Sequence, residues 1–196
     1  MPKLGMEPLR RAAVVDATID CIGRAGSLDV TVGQIARKAG VSTALAHHYF
    51  GAKDQIFLAA MRHILSQFGA AVRNALASAE TPRARLEAIV RANFEGDQFQ
   101  GPIVSAWLNF YLQAHHSAQA QRLLHVYQKR MRSNLLHALR PLIGARADNA
   151  AETIAAMIDG IYIRAALGPD PLDGEAVVAR VLNVLDLLVA PVQAER

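Results

Sequence analysis

Residues 31–54, TVGQIARKAGVSTALAHHYFGAKD, leave this chain few choices of local structure. Thr31 is a good N-cap, and Gln34 three residues later completes a capping box, so a helix is expected to begin there. Ile35, Ala36 and Ala39 give that helix one apolar face. Gly40 ends it, because glycine accepts the left-handed conformation that closes many helices. Val41 then tucks inward, and Ser42 caps a second short helix through Thr43, Ala44, Leu45, Ala46, His47 and His48. Two short helices joined by a tight turn containing glycine form a helix-turn-helix unit. In such units the second helix enters the major groove of DNA, led by its N-terminal residues.

The rest of the 196 residues continues in helical periods. Hydrophobic residues make up 52 % of the chain and aromatics only 6 %, a balance that suits packed helices better than sheets. An all-α chain of nine helices without a strand is expected. The first helix runs from about Pro8 to Arg24, with Val15, Ile19 and Ile22 as its buried stripe and Gly26 just past its end. The two motif helices follow, and a fourth starts near Lys53 and runs through Ile56, Ala60, Ile64 and Phe68 toward Thr81-Pro82. A fifth begins at Thr81-Pro82-Arg83, and Gly96 and Gly101-Pro102 punctuate the way to a sixth that carries Trp107, Phe110 and Tyr111. The seventh spans about Ser117 to Leu139 and ends at Pro141 and Gly144. The eighth starts near Asp148 and stops at Gly168-Pro169. The ninth, Glu175 to Val189, is apolar over much of its circumference, so it needs cover on more than one side, for which a second subunit is the natural source. The functional division expected is a DNA-binding domain over 1–54 and a ligand-binding and dimerisation domain over 55–196.

Composition narrows the setting. One cysteine, Cys21, excludes an intramolecular disulfide framework, fits a reducing cytosol and is expected as a small buried hydrophobe. The opening MPKLGM leads into a charged segment and not into the apolar run of a signal peptide. The longest apolar stretch, Val177 to Ala190, is interrupted by Arg180, Asn183 and Asp186, so no membrane span is expected and the cytoplasm is. Net charge is +4, and residues 1–65 hold eight Lys or Arg against five Asp or Glu, while the remainder holds thirteen against twelve. Positive charge collects at the end that carries the motif, as phosphate attraction requires.

The pattern ARKAGVS, then HYF, then KD resembles the DNA-binding domain of the TetR family of bacterial repressors. The resemblance implies a homodimer that grips palindromic operator DNA through Thr31, Arg37, Ser42, Thr43, Ala44, Leu45, His47, His48, Tyr49 and Lys53. Thr43 and Ala44 lie where base edges come within reach, and His47 shares their face one turn on. Tyr49 and Lys53 should meet phosphates on the family pattern, whereas Phe50 should pack in the core. The family commonly has Tyr where this chain has His47. The opening MPKLGM, AWLNFY, RSNLL and IDGIYIRAALGPDPLD also resemble the choline-responsive repressors of betaine synthesis, the BetI group within that family. That resemblance implies a repressor of choline-to-glycine-betaine genes, dimeric through its last two helices and released by choline.

Phe94, Trp107, Phe110, Tyr111 and Tyr162 are the expected ligand residues, since aromatic faces attract quaternary ammonium groups. Glu95 and Asp97 could add field, while Asp159 reads first as a structural partner on the eighth helix or across a dimer. No cofactor and no metal are expected: His47 and His48 are neighbours pointing about 100° apart on a helix. His115, His116 and His125 likewise lack further ligands at metal spacing. No catalytic residue is expected either, because no nucleophile elbow, phosphate-binding glycine loop or Cys-His pair occurs. A multidrug-type regulator answering to another cationic or apolar compound is the alternative within the same fold. A helical enzyme and an adaptor without DNA binding stand further off.

Overall fold

A computed structural model describes residues 5–191; residues 1–4, most of the opening segment MPKLGM, and residues 192–196 lie outside the described residues. Every regular element among the described residues is helical, as the sequence leads one to expect. In chain order the helices are α1 (Met6–Ala25), α2 (Val32–Lys38), α3 (Thr43–Phe50), α4 (Lys53–Ala77), α5 (Pro82–Phe94), α6 (Gly101–His116), α7 (Ala118–Ile143), α8 (Ala147–Leu167) and α9 (Gly174–Val189). Short 3-10 turns occupy Gly96–Phe99 and Gly144–Arg146. Two compact units result, one of residues 1–67 with 100–123, the other of residues 68–99 with 124–196.

In the first unit α1 buries Val14, Val15, Ala17, Thr18 and Ile22. Ile19, expected in that stripe, and Cys21, expected to be buried, are both only half-buried, because the stripe is rotated toward Val14 and Thr18. The buried Thr18 hydroxyl is satisfied by donating to the Val14 carbonyl at 2.7 Å. α6 packs on α1 so closely that a Cβ on Gly23 would lie 2.5 Å from the Cα of Pro102. Asn109 seals the same contact, its amide donating to the carbonyls of Ser105 at 2.9 Å and Gly26 at 3.3 Å. Phe57 of α4 meets Phe110 of α6 edge-on, ring centres 6.5 Å apart.

The motif forms as its residues dictate. Thr31 and Gln34 make the capping box, with Gln34 N–H donating to Thr31 Oγ1 at 3.2 Å and Thr31 N–H donating to Gln34 Oε1 at 2.7 Å. Gly40 takes φ +68 and turns the chain, and Ser42 Oγ accepts from Leu45 N–H at 3.1 Å to start α3. Because α2 has only seven residues, its cap is a large share of its stability. Thr31→Ala is expected to lower unfolding free energy by about 1 kcal/mol, read as a drop in the urea midpoint with unchanged slope.

In the second unit the aromatic rings of Phe94, Phe99 and Tyr162 pack with centres 5.2 to 5.8 Å apart. The Tyr162 hydroxyl donates toward the carbonyls of Asn93 at 2.6 Å and Gln98 at 3.0 Å, tying α8 to the end of α5. α5 and α9 are pinned by Arg83 on Asp186 at 2.9 Å and by Arg91, which meets Glu87, Glu95 and Glu175. Those carboxylates, Glu95 foremost, hold the Arg91 guanidinium even more firmly protonated than usual. α9 starts against α5: a Cβ on Gly174 would stand 2.4 Å from the Phe94 carbonyl oxygen.

One further detail differs from the sequence reading. Pro141, expected to end α7, lies inside it, and the helix runs on to Ile143 before Gly144 at φ +53 stops it. A proline forfeits only one hydrogen bond this close to a helix end, so the last turn survives. Along α9 the chain itself covers only part of the apolar surface. It buries Val177, Val178, Val181 and Leu185, half-buries Leu182, Val184, Leu188 and Val189, and leaves Ala176, Ala179, Arg180, Asn183, Asp186 and Leu187 exposed. No helix among the described residues is long and apolar enough to cross a membrane.

Candidate DNA-reading surface and ligand site

The helix-turn-helix presents a continuous polar face. Thr31, Arg37, Ser42, Thr43, Ala44, His47, His48 and Lys53 are exposed, while Leu45 and Tyr49 are half-buried. A Cβ on Gly33 would lie 3.8 Å from the hydroxyls of both Thr31 and Thr43, so the starts of α2 and α3 converge. Ala46 on the opposite side of α3 is fully buried, as is Ile35 of α2, which fixes the helix orientation.

Local bonds decide what each side chain has left to offer. The Thr31 hydroxyl is engaged inside the capping box, accepting from Gln34 N–H and donating to Gln34 Oε1 at 3.0 Å. Ser42 accepts from Leu45 N–H but keeps its own hydroxyl hydrogen. Lys53 spends one ammonium hydrogen on the Leu28 carbonyl at 3.0 Å, which anchors the head of α4 and leaves two more for phosphate. His47 Nδ1 lies 2.7 Å from the Gly51 carbonyl oxygen. Lys38 pairs with Asp20 at 2.6 Å, so of the two basic residues on α2 it is the one already engaged by α1.

One residue of this surface escaped the sequence reading. Arg11 of α1 lies over the rings of Tyr49 and Phe50, 5.2 and 5.1 Å from their centres, and its Nε bonds Glu7 at 3.0 Å. This cation–π contact steadies the Tyr-Phe pair at the end of α3. Phe50 is thereby half-buried under an arginine and not sealed in a core. Nothing local in the α1 sequence marks Arg11, since the contact forms only when α1 crosses α3.

The expected ligand residues fall into both units. In the first, Trp107 lies 5.9 Å from Phe110 and 5.8 Å from Tyr111, ring centre to ring centre; Trp107 and Phe110 are buried and Tyr111 is half-buried. In the second, Phe94 and Tyr162 are buried together with Phe99. Tyr127 of α7 and Asp159 of α8 join Tyr162 there. Burial pushes both phenols well above the usual tyrosine range, and the negative charge of Asp159 raises each further. Both phenols stay neutral, with a half-buried carboxylate within Coulombic reach of each. Tyr127 also meets Phe68 of α4 edge-on at 5.8 Å. Neutral aromatic walls with a carboxylate beside them form a chemistry suited to a bulky cation that cannot donate hydrogen bonds. Tyr127 and Asp159 were the weaker reading in the sequence, one counted among many aromatics and the other as structural. Their proximity depends on how α7 and α8 pack. No group of His, Cys, Asp and Glu among the described residues could hold a metal ion.

Comparison with known proteins agrees with the helix-turn-helix. A family model described as bacterial regulatory proteins, tetR family, matches residues 14–60, and one described as BetI-type transcriptional repressor, C-terminal, matches residues 82–190. The chain is 52 % identical over 182 residues to the HTH-type transcriptional regulator BetI of Brucella abortus (strain 2308), with 92 % of each chain covered. It is 51 % identical over 180 residues to the regulator of the same name from Rhizobium meliloti, covering 91 % of this chain and 89 % of that one. A solved transcriptional regulator from Pseudomonas aeruginosa PAO1 matches with a TM-score of 0.79 at 25 % identity, covering 95 % of this chain and 93 % of that one. Another, from Saccharomonospora viridis and in complex with choline, shares the fold with a TM-score of 0.79 at 21 % identity, covering 90 % and 95 %. The relatives are regulators of transcription, which removes the enzyme alternative. The chain belongs to the TetR family of DNA-binding regulators and, within it, to the BetI-type transcriptional repressors.

Proposed function

We propose that this repressor is a homodimer that holds a palindromic operator of choline-to-glycine-betaine genes and lets go when choline binds. The observation that carries the choline half is the grouping of neutral Tyr127 and Tyr162 with the Asp159 carboxylate in the second unit. A quaternary ammonium has no N–H to donate, so its selective host offers π faces and a nearby negative charge, which is what this grouping supplies. The choline complex of the Saccharomonospora viridis regulator, which shares the fold, supports the same ligand class.

Residues 1–54 serve as the DNA-binding domain, and 55–196 sense the ligand and dimerise. Thr43, Ala44 and His47 face base edges, while Arg37, Ser42, His48, Tyr49 and Lys53 hold the phosphates that set register. α4 is the mechanical link. It is one uninterrupted helix of 25 residues whose first residue, Lys53, is bonded to Leu28, and whose Phe68 rests on Tyr127. A ligand that displaces Tyr127 pushes on Phe68 and so on the helix that begins at the DNA-binding domain. Choline can act only if it binds the released state more tightly than the DNA-bound state.

Fluorescence anisotropy on promoter DNA just upstream of the protein's own gene tests the reading. Specific binding that millimolar choline weakens is the expected result. Binding that saturating choline leaves unchanged would discard choline as the inducer. Release by many unrelated cations at similar concentrations would favour the multidrug-type alternative.

A further inference from the structure

We propose that His47 reads a hydrogen-bond donor on one operator base, adenine N6 or cytosine N4, through an unprotonated Nε2. The inference rests on α3 being the recognition helix. His47 Nδ1 sits 2.7 Å from the carbonyl oxygen of Gly51, and a carbonyl only accepts, so Nδ1 carries the hydrogen. Turning the ring over would set a ring carbon at that distance, well inside the roughly 3.3 Å at which even a C–H···O contact forms. The same pair is bonded a second time, Gly51 N–H to the His47 carbonyl at 2.7 Å. Gly51 holds this closed geometry at φ +80 and ψ −120, a conformation that suits glycine, so the lock is built into the end of α3.

The hydrogen at Nδ1 settles what a neutral His47 can recognise. Its outer nitrogen offers a lone pair and no donor. Phosphate oxygens are acceptors too, so this ring cannot bond one. The major groove offers two base donors, adenine N6 and cytosine N4, whereas guanine and thymine present acceptors at the matching edge. His47 is exposed and lies one helical turn beyond Thr43, on the face that enters the groove. The Tyr common at this position in the family would carry a hydroxyl able to donate as well as accept. Locked His47 narrows that choice to acceptance.

Two measurements on the full-length protein test the proposal. Long-range proton–nitrogen correlation of the imidazole, at about pH 8 where histidine is neutral, should find the His47 hydrogen on Nδ1, with His47→Ala as the assignment control. A hydrogen on Nε2 would overturn the proposal. Anisotropy with every single-base change in one operator half-site should then show a position where adenine or cytosine is preferred by roughly five- to tenfold. That preference should flatten in His47→Ala, with the other positions unchanged. An unaltered profile in His47→Ala, or a wild-type preference for guanine or thymine at the affected position, would overturn the proposal. A wild-type protein with no specific half-site would instead sink the recognition-helix reading, and this inference with it.

Discussion

Asp159→Asn is expected to bind operator DNA as tightly as the unmodified repressor and to ignore choline at concentrations that release the original. Asparagine keeps the size of the side chain and removes its charge. What it takes away is the attraction between a carboxylate and a quaternary ammonium held among buried rings. At an effective dielectric near 20 and a few ångströms, that attraction is worth up to about 4 kcal/mol before desolvation is counted. The aromatic faces remain and retain part of the affinity. A loss of about ten- to a hundredfold in inducer affinity follows, measured by calorimetry with choline and by the choline concentration that halves anisotropy. The proposed DNA contacts lie on α2, α3 and the head of α4, and Asp159 is on α8, so operator affinity without ligand serves as the control. Choline that releases the variant as readily as the original would remove Asp159 from the ligand site.

The fold was legible wherever a helix announces itself locally. The capping box at Thr31, the left-handed Gly40 and the Ser42 cap appear in the structure because each depends on neighbours three or four residues away. Pro141 misled because a proline lacks only its own N–H, and the two residues after it can stay helical until Gly144 turns the chain. Site residues followed the same rule. The bounds of α3 could be placed from the chain alone, but the Arg11 contact with Tyr49 and Phe50 needs α1 laid across α3. Asp159 beside Tyr127 and Tyr162 needs α7 and α8 side by side. His47 read as a candidate for either a base or a phosphate contact, while its bond to Gly51 was not visible, because Gly51 there serves also as the helix terminator.

If the repressor is the proposed homodimer, Gly160→Trp is expected to turn it into a folded monomer and to cost about a hundred- to ten-thousandfold in operator affinity. Glycine in the middle of a helix is unfavourable by about 1 kcal/mol relative to alanine, so a mid-helix glycine calls for a packing reason. Within the chain Gly160 has none: a Cβ there would meet nothing within 4 Å. Ile163 and Leu167 lie three and seven residues on, along the same face of α8, and Leu167 is 70 % exposed. On α9, Leu187 is 77 % exposed. Exposed leucines beside a mid-helix glycine are what a second copy of the chain would cover, with Gly160 letting two α8 helices approach closely. A tryptophan there fits the isolated protomer and obstructs its partner. The variant should therefore keep its helical circular dichroism and melt cooperatively, while light scattering after size exclusion reports one chain. Operator affinity falls steeply because each half-site must then be held by a separate molecule, without the millimolar effective concentration that joining two heads provides. A variant that stays dimeric with full operator affinity would move the interface off this face of α8.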